Sequence, residues 1–212
     1  RRARVQFILR VCRLRHFLSL LHLFTSSGVI IVRTFLAVLF VIAMANLAGA
    51  DVNSGPTEGE KAPPLKVVDV TGYNAGKELD YVKDRQEAKT IYVLIPYEQW
   101  SRPMARLLKR VDKDLGDVKG GYLVAVWLTE DKEKTKKYLP TAHNVLNLQN
   151  SALTYFPGDA TNGPDQWGFN DRAFLTAVVV KDGKVLRSLG LQSVNETDAA
   201  KILEKLQKKK SE

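Results

Sequence analysis

The sequence predicts an α/β fold: a central mixed β-sheet flanked by helices in three layers, closed by a C-terminal β-hairpin and helix. Three observations predict it. "TIYVLI" (90–95) and "GYLVAVWLT" (121–129) are near-continuous apolar runs of β-favouring residues, as strands buried on both faces require. Each is followed by a stretch with helical signals. "AFLTAVVVKDGKVLRSLG" (173–190) then doubles back through Asp-Gly, a sequence suited to tight hairpin turns.

Taken in order, the chain of 212 residues begins with a leader, residues 1–50, holding seven Arg and no Lys, Asp or Glu. Arg33 precedes "TFLAVLFVIAMA", an apolar run the size of a secretory h-region, and "NLAGA" offers small residues at Ala48 and Ala50 for cleavage before Asp51. The rival is an uncleaved membrane anchor, which needs roughly 20 apolar residues. Residues 32–50 form a complete short signal peptide by themselves. Residues 1–31 are Arg-rich and read as over-extended translation upstream of a start at Val32, or as a basic amphipathic membrane segment. The formal charge of +9 is concentrated in this leader: residues 51–212 carry 25 basic against 23 acidic residues. Nucleic acid is therefore not an expected partner, and a membrane is expected only through a retained leader. The expected location is periplasmic or secreted. The one Cys, Cys12, also lies in the leader, as do His16 and His22, so His143 is the only His of the expected mature chain.

Residues 51–62 are polar and rich in Gly and Pro and read as a linker to a domain spanning 63–209. "LKVVDVTG" (65–72) is a short strand ended by a Gly turn. "GKELDYVKDRQEAK" (76–89) is a polar turn or short helix with Leu79 and Val82 inward. After the strand at 90–95, Met104, Leu107, Leu108, Val111 and Leu115 fall on one face of a helix. Its Arg106, Lys109, Arg110 and Lys113 are either a solvated face or a basic patch for a partner. "TEDKEKTKKYL" (129–139) is the next helix, with Thr129 as its cap. "SALTYF" (151–156) is a short strand, and "PGDATNGPDQWGFND" (157–171) a loop. In "SVNETDAAKILEKLQKKK" (193–210), Ser193 and Glu196 suggest a capping box for the last helix.

Three segments in order resemble the thioredoxin-like superfamily, and within it the exported redoxins and peroxiredoxin relatives. They are "GEKAPPLKVVDVTG" (59–72), "TIYVLIPYEQWSRPM" (90–104) and "NGPDQWGFNDRAFLTAVVVKDGKV" (162–185). The likeness spans residues 59–208. Trp100 and Pro103 match the family's Trp-Cys-x-Pro-Cys, while Ser101, Arg102 and Met104 fill the other places; Leu175 stands at the cis-Pro position before Thr176. The family's chemistry needs a thiolate whose pKa is lowered from about 8.5 at a helix N-terminus. The Ser101 hydroxyl is too weak an acid for that role, and the thioether of Met104 cannot form a disulfide.

The resemblance thus implies the scaffold without its redox chemistry, with Ser101 capping a helix and no catalytic residue or cofactor. The expected function is an exported, non-catalytic module that binds a polypeptide partner in the cell envelope. Its expected surface is Trp100, Ser101, Arg102, Pro103, Met104, Leu175 and Thr176. Trp100 and Trp167 are either core aromatics or an exposed surface beside that position. The alternative is an enzyme or metal-binding protein using Asp159, Asp165 and Asp171 as oxygen ligands. Two weaker readings remain: a Ser101–His143 nucleophile pair, with His143 in a surface turn or helix start, and a leader-anchored redox role for Cys12.

Overall fold

The computed structural model describes residues 51–207. The expected leader, with Cys12, and residues 208–209 of the expected domain lie outside them. The described chain runs β1 (Lys66–Asp69), β2 (Glu78–Asp80), α1 (Tyr81–Asp84), β3 (Thr90–Pro96) and α2 (Arg102–Leu115). It continues through β4 (Tyr122–Leu128), α3 (Lys132–Leu146), β5 (Ser151–Tyr155), β6 (Leu175–Lys181), β7 (Lys184–Leu191) and α4 (Asp198–Leu203). A 3₁₀ turn, Tyr97–Gln99, joins β3 to α2.

The strands form one mixed sheet in the order β2-β1-β5-β4-β3-β6-β7. β3–β4 and β4–β5 are parallel; the other pairings are antiparallel. The central apolar runs sit where their composition requires: Ile91 to Ile95 are at most 1 % exposed. Side chains alternate between two cores. Ile91, Val93 and Ile95 meet Met104, Leu107 and Val111 of α2, Leu139 of α3 and Ile202 of α4. Tyr92 and Leu94 face Leu65, Tyr81, Val82 and Trp167 on the other side.

Both parallel crossovers step in the same direction across the sheet. A right-handed connection therefore lays α2 and α3 on one face, and α4 joins them. The third layer is thinner than the helical flanks the sequence suggests: it is built from one-turn α1 and irregular chain.

Several local expectations change. The 76–89 stretch contains an edge strand, β2, as well as a helical turn. Its signal is short because three residues paired only with β1 need little apolar content. Asp131, not Thr129, caps α3, accepting from the Lys134 backbone N–H at 3.0 Å; the Thr129 hydroxyl is buried and bonds Thr135. α3 then runs on through Pro140. The Ser193–Glu196 box does not form: α4 starts after Thr197, with Asn195 and Asp198 holding the turn.

Residues 51–62 are no free linker. Backbone bonds tie Val52 to Gly190, Gly59 and Glu60 to Val185, and Ala62 to Gly183. This strap covers the edge strand β7, where exposed N–H and C=O groups would otherwise invite another chain.

Candidate functional site

β3 delivers the chain to the site. Pro96 ends it, the 3₁₀ turn follows, and Trp100 is extended. Ser101 stands at the N-cap of α2 with φ −149° and ψ 167°. A helix thus begins beside Trp100 at the end of a central strand, as the resemblance implies. The expected cap does not form, because the Ser101 hydroxyl makes no capping hydrogen bond. An N-cap oxygen normally accepts from the second or third N–H of the helix. The second residue here is Pro103, which has none; the Ser101 carbonyl still accepts from Ala105 N–H at 3.0 Å.

The structure separates the expected surface residues. Ser101, Arg102 and Pro103 are exposed and Trp100 is half-buried. Met104 is 1 % exposed and shares the helical-side core with Leu175. Thr176 follows the strand alternation to the opposite face, where its hydroxyl and that of Ser54 lie 2.6 Å apart, both buried. Residues 100–103 and 175–176 therefore do not make one continuous exposed edge, because an inward helical position and two central-strand positions are claimed by the core. No peptide bond among the described residues is cis, Leu175 included.

What lies beside Trp100 is an open groove of about 490 Å³, lined by Tyr97, Trp100, Lys134, Lys137, Tyr138 and Thr141. The Trp100 indole N–H donates to the Tyr138 hydroxyl at 2.7 Å. Its ring packs on buried Trp127, centroids 4.9 Å apart, and Lys134 Nζ stands 5.4 Å from the Tyr97 ring centre. The α3 residues here went unnoticed in the sequence, although their offsets of 0, 3, 4 and 7 mark one helical face.

No family model matches the chain, and no curated protein matches it. Solved structures do. A DsbF homologue from Corynebacterium diphtheriae aligns at TM-score 0.52 and 17% identity, covering 76% of this chain and 96% of that one. A putative protein disulfide isomerase from Bacteroides thetaiotaomicron aligns at 0.51 and 17%, covering 74% and 96%. A thiol:disulfide interchange protein from Bacteroides sp. gives 0.51 and 13%, with 74% and 94% covered. The fold is thioredoxin-like. On this thioredoxin-like fold, the two places that the sequence resemblance assigns to sulfur nucleophiles hold an exposed hydroxyl and a buried thioether.

The other candidates resolve differently. Trp167 is fully buried on the sheet face away from Trp100, its N–H donating to the Pro64 carbonyl at 3.0 Å and its ring 5.5 Å from Tyr92. It is a core anchor of the thioredoxin-like sheet. His143 falls in the last turn of α3 and is not among the residues lining the groove. Asp159 closes its own loop, accepting from Thr161 N–H at 2.8 Å and Asn162 Nδ2 at 2.6 Å. Those bonds, the Thr161 backbone N–H first, hold its carboxyl below the ordinary value. Asp159, Asp165 and Asp171 do not converge: among the described residues, no group of three or more His, Cys, Asp or Glu side chains is arranged to hold a metal.

Proposed function

We propose that this chain is a redox-inactive, exported binding module that takes a polypeptide in the groove beside Trp100. The observation that carries this reading is the groove itself. Aromatic walls and two lysines stand next to a helix start whose sulfur positions are Ser101 and Met104. Thiol–disulfide exchange needs sulfur attacking sulfur, and residues 51–212 contain no Cys. Mostly apolar walls with a few placed polar groups suit the capture of side chains. The apolar run before Ala48 and Ala50 supports export.

Two measurements test it. In an insulin-disulfide reduction assay, the chain carrying Cys12→Ser is expected to give no turnover above dithiothreitol alone; turnover would end the redox-inactive reading. Peptides selected on the same protein from a random display library are expected to lose at least about tenfold in affinity with Trp100→Ala. Binders indifferent to Trp100→Ala and to Tyr138→Ala would move the binding surface elsewhere. Met104 is unsuitable as a probe, since its truncation opens the core.

A further inference from the structure

Charge is unevenly spread over the described domain. Residues 51–207 carry 22 Lys or Arg and 22 Asp or Glu. α2 and α3 alone hold nine of the basic residues against three acids. Of those acids, Asp112 is buried and accepts from the Gln149 and Asn150 backbone N–H groups, Asp114 pairs with Arg110 at 2.7 Å, and Glu133 is exposed in the first turn of α3. Arg102, Arg106 and Lys109 on α2, with Lys134, Lys136 and Lys137 on α3, are exposed. None of the six is in an ion pair with another described residue. Basic residues are thus concentrated on α2 and α3, and two of the lysines open into the Trp100 groove.

We infer that the groove's partner is an acidic polypeptide segment. An aromatic or aliphatic side chain of the partner lies against Tyr97, Trp100 and Tyr138, and flanking carboxylates meet Lys134 and Lys137. This rests on the polypeptide-binding reading above and adds the partner's charge to it. Like-signed lysines at the rim attract carboxylates and repel basic segments, so they act on partner choice and on encounter rate. An anionic membrane would also meet this charge, but a flat lipid surface would leave the groove unfilled, whereas a polypeptide side chain enters it. Trp100 is half-buried against Trp127, with its N–H held by Tyr138: it is a wall of the groove and not a wedge.

The test uses the full chain and fluorescence anisotropy of two labelled peptides, one alternating Glu with Phe and Leu, the other with Gln replacing every Glu. The Glu peptide is expected to bind at least about tenfold tighter at low salt, with the advantage shrinking as salt rises and the Debye length falls. Lys134→Glu with Lys137→Glu is expected to remove that advantage while the unfolding midpoint stays in place. Equal binding of both peptides, abolished by Trp100→Ala, overturns the charge inference and leaves polypeptide binding standing. Failure of both peptides to bind overturns both. A preference for Glu that survives the double reversal assigns it to other charges and also overturns the inference. So does tight binding to phosphatidylcholine vesicles containing phosphatidylglycerol that excess Glu peptide does not displace, which points to a membrane instead.

Discussion

At the scale of single residues, the two positions that the sequence resemblance matches to cysteine have opposite physical roles. Ser101 is exposed and its hydroxyl is unused as a cap, so Ser101→Ala is expected to change stability by less than about 0.5 kcal/mol. The first turn of α2 contains no acid, and Ser101→Asp is expected to stabilise by about 0.3–1 kcal/mol through the helix dipole. Met104 is sealed in the core, and Met104→Ala is expected to cost about 2–5 kcal/mol through lost burial and a cavity. Urea unfolding of the three variants checks the order; a Ser101→Ala cost as large as that of Met104→Ala would contradict it. Asp69 shows how a buried polar side chain is tolerated: its carboxyl group is fully buried and accepts from Gly72 N–H, Asn74 N–H and the Tyr81 hydroxyl at 2.7–2.9 Å.

At the scale of elements, the β6–β7 hairpin follows its sequence closely. Asp182 and Gly183 take φ values of 52° and 70°, the left-handed pair a two-residue turn demands. The strap at 51–62 depends on β7 in a less visible way. A Cβ on Gly190 would press into the Val52 carbonyl and stand 2.7 Å from Ser54 Cβ. Gly190→Ala is therefore expected to push the strap outward and cost about 1–3 kcal/mol. Hydrogen exchange checks it, with the Val52 amide, now bonded to the Gly190 carbonyl at 2.9 Å, expected to lose protection. An unchanged Val52 rate would show that the strap is not held by that close approach.

At the scale of the whole molecule, the fold favours the protonated form of four phenols, two of them buried, Tyr81 and Tyr92, one part-buried, Tyr122, and one exposed, Tyr73. Desolvation comes first in each case, raising Tyr81, Tyr92 and Tyr122 above the ordinary 10.0 and Tyr73 up to about 12. The unfolded chain releases these protons first, so their contribution is complete below pH 10.0 and drains away as pH rises through the raised values. The urea midpoint is expected to fall progressively above pH 10.0, while phenolate absorbance of the folded protein lags that of the unfolded chain. A flat midpoint across that range would contradict the assignment.

The sequence by itself determined the buried strands at 90–95 and 121–129, the hairpin, the apolar face of α2 and the absence of a thiol from residues 101 and 104. Each is written in periodicity, turn chemistry or residue identity, which act over a few neighbours. Tertiary structure alone decided that Thr176 meets Ser54, that residues 51–62 seal β7, and that Trp100 meets Tyr138 across 38 residues. Those outcomes depend on strand register and on the shared handedness of two crossovers, which bring together side chains that no local pattern connects.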